Sequence, residues 1–296
     1  MKKRTLLIFT LVVTVAGYAG YRSVFTLPDT AQVTTITPPT VSANDMQPAL
    51  ACYQNPAPQI LDHDGQLNLL VWNIYKQNRS NWQQALEGLA QDKQLLLLQE
   101  ASMTEELRAW IDAGQWSGNL VDAFKAFDTS AGVLNLAHQL PKRACGYTEM
   151  EPWLRLPKSA LFATYALSNG QTLAVVNIHA VNFTYGTQEY HHQLEKLANV
   201  LKAHTGPVIV AGDFNSWSEQ RLVVMKGVLA QVGVQEVDYQ LDHRKQFING
   251  LPLDHLFYRG LTLEKAEAPI SDASDHNPIE VYFRLLPSVQ SVLENQ

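Results

Sequence analysis

The stretch PVIVAGDFNSW, Pro207 to Trp217, decides the fold. Its apolar half is short and unbroken, which suits a strand buried on both faces better than a helix. It then breaks off into Gly-Asp-Phe-Asn, setting a carboxylate and a carboxamide one residue apart at the strand's end. The same ending recurs along the chain. Asn73 closes LNLLVWN, Glu100 closes QLLLLQE, and His179 closes TLAVVNIH with Asn182 three residues on. Asp254 stands early in LDHLFY, and SDASDHNPIE carries Asp275 and His276 into a final strand, PIEVYFRL.

Between these runs lie amphipathic stretches with helical period: SNWQQALEGLAQD with Ser80 as its N-cap, EYHHQLEKLANVLKAH, and EQRLVVMKGVLAQVG. AGVLNLA, SALFATYAL and LTLEKAE add strands, and Ser168-Asn169-Gly170 is a hairpin turn into TLAVVNIH. The segment between QLLLLQE and AGVLNLA reads as irregular. Hairpins mixed with helical crossovers give the fold class α/β: a four-layer α/β sandwich of two mixed β-sheets packed together and covered by helices.

The chain has 296 residues, enough for a large core. It divides into a signal peptide or membrane anchor (1–21), a Pro/Thr-rich linker (22–62), one domain (63–286) and a tail (287–296). Lys2, Lys3 and Arg4 precede the uncharged run TLLIFTLVVTVAGYAGY, with a small-residue cleavage site at Gly17-Tyr18-Ala19. A basic flank stays in the cytoplasm, so the domain is expected on the periplasmic side, exported or anchored in the inner membrane. Cys52 and Cys145 pair as a disulfide if the chain is exported and remain thiols if it is not. A formal charge of -6, with no Lys/Arg block past the first residues, argues against non-specific nucleic-acid binding.

Asp and Asn at a strand end usually make turns or cap helices. Five strand ends carrying such residues together are different, because ligands of open α/β sheets bind beyond the carboxyl ends of strands. Carboxylates with carboxamides suit a hard cation such as Mg²⁺. No zinc-like Cys/His spacing exists, and His191 and His192 face different ways on a helix. A histidine beside one aspartate and oriented by another is a general-base arrangement. Metal, base and phosphate donors together imply hydrolysis of a phosphate ester.

The ordered series VWNIY, LLLQE, NIHAVN, AGDFN, LDHLF and SDHNPI resembles the endonuclease/exonuclease/phosphatase (DNase I-like) superfamily over about Leu67 to Leu286. The continuous texture is similar to a proteobacterial branch of it, which implies the cytoplasm as the alternative compartment. The resemblance implies Mg²⁺, with Mn²⁺ as a substitute, held by Asn73, Glu100 and Asp275. It implies that Asp213 activates or positions water, or protonates the leaving oxygen. His276, held by Asp254, is then the partner acid/base or a direct phosphate contact, and His179, Asn182 and Asn215 stabilise the phosphoryl oxygens. Abasic-site endonucleases carry an aspartate where Tyr75 stands, so that metal contact does not transfer. Lys76, Arg79 and Lys158 read as solvated surface cations, and Trp217 as packing over the turn.

The expected activity is therefore a metal-dependent phosphoesterase acting on a nucleic acid or a phospholipid headgroup. The alternative is a membrane-tethered binding module with the same fold and no turnover.

Overall fold

The computed structural model describes residues 2–38, 51–127 and 129–287. Two mixed sheets face each other. The first runs β1 (Phe25–Thr26), β6 (Ser117–Ala126), β7 (Thr129–Ala137), β5 (Leu95–Ser102), β4 (Gln66–Asn73), β16 (Ile279–Leu285), β15 (Leu261–Ala268), β13 (Leu241–Asp242), with β2 (Val33–Ile36) also on β6. The second runs β12 (Gln235–Glu236), β14 (Asp254–Arg259), β11 (Val208–Asp213), β10 (Thr172–His179), β9 (Pro157–Ala166), β8 (Arg143–Met150), β3 (Cys52–Gln54).

Strand alternation sorts the core into three slabs. Leu67, Leu69 and Val71 of β4 point inward against Leu161, Val175 and Ile209 of the other sheet. Leu70 and Trp72 point outward under α2 (Trp82–Ala90) and α3 (Glu105–Ala113), through Leu86, Leu107 and Trp110. Val176, Ile178 and Val210 face α4 (Gln188–Lys202) and α5 (Glu219–Ala230), through Leu194, Leu197 and Met225. The four-layer sandwich expected from the sequence is the one observed.

Three local readings change. α2 starts at Trp82 with Asn81 as its N-cap, not Ser80, and no side chain caps its first turn. The segment read as irregular forms α3 and β6; Thr104 caps α3 by accepting from the Leu107 N–H. The stretch read as linker contributes edge strands to both sheets: β2 pairs β6, and β3 pairs β8 with Cys52 opposite Cys145. Those cysteines form a disulfide across 93 residues of chain. Residues 39–50 of that stretch, and the tail from 288 on, lie outside the described residues.

The N-terminal run is helix α1 (Lys2–Val24). Among the described residues no helix is long and apolar enough to cross a membrane.

Candidate active site

Topology alone gathers the polar ends. β10 and β11 are parallel, so His179 and Asp213 are register partners at one edge of the second sheet. β14 runs antiparallel to β11, which places Asp254 opposite Asp213. In the first sheet β4 and β5 are parallel, so Asn73 and Glu100 finish side by side. β16 returns antiparallel over β4, and the turn before it lies on Asn73: Ser274 Oγ donates to the Asn73 carbonyl at 2.7 Å. Asp275 and His276 follow from that turn.

Local backbone aims these side chains. Between β10 and β11 a Cβ at Gly212 would lie 2.0 Å from the Ile178 carbonyl, at φ 139°. Only glycine permits that approach, which is why Asp213 follows a glycine. β5 shifts register between Leu98 and Ala101, a bulge containing Glu100 at φ 51°. Bulges re-aim side chains, and this one swings Glu100 out of the pleat. Tyr75, Lys76 and Gln77 are all left-handed, at φ 50°, 51° and 57°, and Asn215 sits at 47°. Such positions cost about 1–3 kcal/mol each and persist where surrounding structure enforces them. Here they concentrate at one cleft.

Below the cleft, Asn177 of β10 accepts from Gln99 Nε2 (2.7 Å) and donates to Asn135 Oδ1 (2.9 Å). This buried polar link crosses between the sheets and fixes their relative position under the site.

Asp213 is the hub. Its Oδ2 accepts from Asn73 Nδ2 at 3.0 Å and lies 3.5 Å from His179 Nε2 and 3.9 Å from His276 Nε2. Oδ1 accepts the Asn215 N–H at 2.9 Å. His276 Nδ1 is 2.7 Å from Asp254 Oδ2, and all three side chains are buried. Burial pushes the Asp213 carboxyl up to about 6; His276 works the other way and Asp254 adds to the rise. Burial opposes charge on His276, but the field and hydrogen bond of Asp254, then Asp213 and Asp275, raise it to about 10. Asp213, Asp254 and His276 bring ligand atoms within 4.8 Å of one another. An imidazole between two carboxylates is suited to passing a proton, and the same atoms lie close enough together to hold a cation.

Glu100 lives in the opposite electrostatic regime. Burial works to raise its carboxyl, but His179, Lys76 and Lys158 pull it down to about 2, helped by the Lys76 hydrogen bond. Burial and Lys158 hold His179 well below its ordinary value, against the pull of Glu100. Lys158 Nζ is 3.0 Å from His179 Nε2. A protonated lysine only donates, so Nε2 accepts and the ring proton sits on Nδ1.

The carboxamides are less free than the sequence implies. Asn215 Nδ2 donates to the Ala180 carbonyl at 2.9 Å, so this side chain ties β11's turn to β10's. Phe214 between Asp213 and Asn215 is fully buried. Asn182 Oδ1 accepts the Trp217 indole N–H at 2.9 Å, which turns its amide nitrogen the other way. Trp217 thus packs over the turn and orients Asn182. Asn73 gives Nδ2 to Asp213 while Oδ1 accepts the Tyr75 N–H at 3.1 Å. Asp275 has one weak contact, from Ser274 Oγ at 3.5 Å, and is partly exposed.

Sequence reasoning undervalued Lys76, which the left-handed turn after β4 folds back, and Lys158, which stands at the start of β9; a lone lysine at either place carries no signal by itself. Arg79 stays at the periphery, 6.0 Å from the Tyr75 ring centre. Arg221 was missed altogether. It is fully buried in α5 and donates to the carbonyls of Val181 (2.8 Å), Asn182 (3.3 Å) and Asn215 (2.8 Å), clamping the two turns that carry Asn182 and Asn215. Glu151, also buried, accepts the Asn182 N–H at 2.6 Å. A chain of Ser216, His255 and Glu236 mimics a hydrolase triad, at 2.8 and 2.6 Å. Ser216 is fully buried and gives its proton to the Pro252 carbonyl, so it is no nucleophile.

Comparisons with known proteins follow the same lines. A family model described as the Endonuclease/Exonuclease/phosphatase family matches residues 70–276. A UPF0294 protein of Vibrio cholerae is 58% identical over 286 residues, covering 97% of this chain and 100% of its own. A UPF0294 protein of Yersinia pestis is 45% identical over 218 residues, covering 74% and 84%. Among solved structures, a humanized D. rerio TDP2 superposes with a TM-score of 0.57 at 17% identity, over 75% of this chain and 100% of its own. The human Nocturnin catalytic domain with bound sulfate does so with a TM-score of 0.56 at 17% identity, over 77% and 98%. At that identity the likeness is one of fold.

Proposed function

From the premise that this chain belongs to the endonuclease/exonuclease/phosphatase family, we propose that it is a divalent-metal-dependent phosphoesterase whose acid/base centre is Asp213 with His276. Family membership supports hydrolysis of phosphoesters; the metal and the residue roles are our reading. One observation carries it: a buried carboxyl lifted to about 6 is set between a donor, Asn73, and a histidine charged by Asp254. A group with a pKa near the operating pH is the most effective proton carrier.

Asp213 takes the proton of the attacking water, and Asn73 holds the carboxylate in orientation. His276, kept cationic by Asp254, faces the phosphoryl oxygens and offsets their charge. Asn182, turned by Trp217, offers its amide nitrogen to the same oxygens, and Lys158 faces them through His179. Lysine ammoniums are strong donors to phosphate.

Glu100, Asp275 and Asn73 fit a hard cation: all three offer oxygen, and Glu100 already pairs with a cationic group. Mg²⁺ is the expected ion, with Mn²⁺ as substitute, and when bound it would neutralise charge on the phosphoryl group. The Cys52–Cys145 disulfide favours an oxidising compartment, consistent with α1 as an export leader or tether and a periplasmic domain.

The test is turnover of bis-p-nitrophenyl phosphate by the full chain with Mg²⁺ and after chelation, beside folded Asp213→Asn and His276→Ala. Metal-dependent hydrolysis lost in both variants is the expected result. Metal binding by a folded protein without turnover of any phosphoester would establish the tethered binding module instead.

A further inference from the structure

A cavity of about 500 Å³ opens from the Glu100 side of the cleft. Its inner end is polar, with Lys76, Lys158, His179 and Asn182. Its outer walls are Phe25, Phe124, Leu154, Leu156, Pro157 and Phe183. Leu154 is 49% exposed and Phe183 43%, and both stand beside Trp153 and Tyr185, which are more exposed still. Surface leucines and aromatics are ordinary singly, but a contiguous apolar rim around a charged pocket marks a binding site.

The rim is also where the N-terminal helix arrives. Phe25 in the wall directly follows α1, and the Tyr21 hydroxyl donates to the Arg155 carbonyl at 3.2 Å, between Leu154 and Leu156. Along α1 the side chains of Phe9, Val13 and Val15 are exposed, at 67%, 54% and 58%. An apolar helix and the apolar mouth of the cavity therefore lie together on the protein's surface.

Resting on the phosphoesterase reading above, we infer that the substrate is a membrane phospholipid, its phosphate at the Lys76–Lys158 end and its aliphatic portion along the apolar walls. The cavity volume is within the roughly 300–1,000 Å³ of small-molecule sites, enough for a headgroup and the start of a chain. Polynucleotides fit less well. They bind through a track of cations that follows successive phosphates, with aromatic faces free for stacking. Here two ammonium groups sit at one point, and the chain carries a net charge of -6. The rim aromatics gather into one apolar cluster, Trp153 lying 6.5 Å from Phe183 and 5.1 Å from Tyr185, centre to centre. Leucine and proline complete the wall and stack on nothing.

The experiment compares three substrates with the full chain and Mg²⁺: mixed phosphatidylcholine and phosphatidylglycerol vesicles, a single-stranded oligodeoxynucleotide, and bis-p-nitrophenyl phosphate. Each is repeated with Leu154→Ser and Phe183→Ser, separate variants at exposed positions. Phospholipid is expected to be cleaved in preference to the oligonucleotide. In each variant the ratio of lipid to bis-p-nitrophenyl phosphate turnover is expected to fall about tenfold, the loss of one apolar contact. A preference for the oligonucleotide that collapses with added salt would overturn the inference and leave the phosphoesterase standing. So would an unmoved ratio in both variants. Silence on all three substrates would overturn the phosphoesterase reading and take this one with it.

Discussion

Asp213 is buried and Glu100 half-buried, and both stand at strand ends facing one cleft from different sheets, yet their surroundings drive them in opposite directions. Asp213 meets desolvation and a second carboxylate, and rises to about 6. Glu100 meets Lys76 and Lys158, and falls to about 2. Two carboxyls whose pKa values are pushed apart are suited to different work. On the proposed reading the second sheet contributes the proton-exchanging centre and the first sheet a carboxylate suited to a cation. One hydrogen bond, from Asn73 Nδ2 to Asp213 Oδ2, links the two sheets across the cleft.

The sharpest way to break this contrast is to neutralise each carboxylate with its amide. Asp213→Asn preserves shape and removes the proton acceptor, and kcat is expected to fall by about 10³. The loss should be the same at every Mg²⁺ concentration. Glu100→Gln should cost about 10² at low metal and recover in part as Mg²⁺ is raised, because it weakens a ligand and leaves the proton carrier alone. Metal titration of both variants separates them. Equal and metal-insensitive losses would refute the division of roles.

The edge around Asp213 was the more legible in the sequence. AGDFN, LDHLF and SDHNPI are short segments whose polar residues close an apolar strand or lead into one, so the strand's end fixes where they lie. Glu100 was also found, since a carboxylate ending LLLLQE stands out. The cations that hold it were not, because Lys76 reaches Glu100 only through three consecutive left-handed residues that no propensity favours. Arg221 was hidden by its helix: EQRLVVMKG reads as a surface face, and only the crossing of α5 behind the two turns buries it. Edge strands β2 and β3 were lost in a Thr/Pro-rich stretch, because pairing with β6 and β8 imposes an extended form that the local pattern does not announce.

Arg221 tests whether the two turns need holding. Its guanidinium has no carboxylate partner within ion-pair distance among the described residues; it faces carbonyls and the rings of Tyr190 and Trp217, at 4.3 and 4.8 Å. Arg221→Met leaves those buried carbonyls without donors, at a cost of about 3 kcal/mol in stability. Because the freed turns carry Asn182 and Asn215, kcat is expected to fall about tenfold below the unfolding temperature. Arg221→Lys restores a cation but not the fork, and should recover stability more than rate. A merely structural arginine would move the melting temperature of both variants and leave kcat per folded molecule untouched.

The smallest effect belongs to Lys76. Its ammonium rests against Glu100, so a cation held by that carboxylate would have to compete with it. Lys76→Met removes the competitor, so Mg²⁺ should bind a few-fold more tightly by isothermal titration, in line with a partly exposed ion pair of about 1 kcal/mol or less. The same change removes a phosphate donor, so kcat should drop a few-fold at saturating metal. The two signs are opposed, and that opposition is the useful part. Weaker Mg²⁺ binding in Lys76→Met would mean that the lysine organises the Glu100 edge, and that the contrast with Asp213 depends on it. Unchanged metal affinity with unchanged kcat would place Lys76 outside the cleft's chemistry and leave Lys158 as the cation facing both Glu100 and the phosphate.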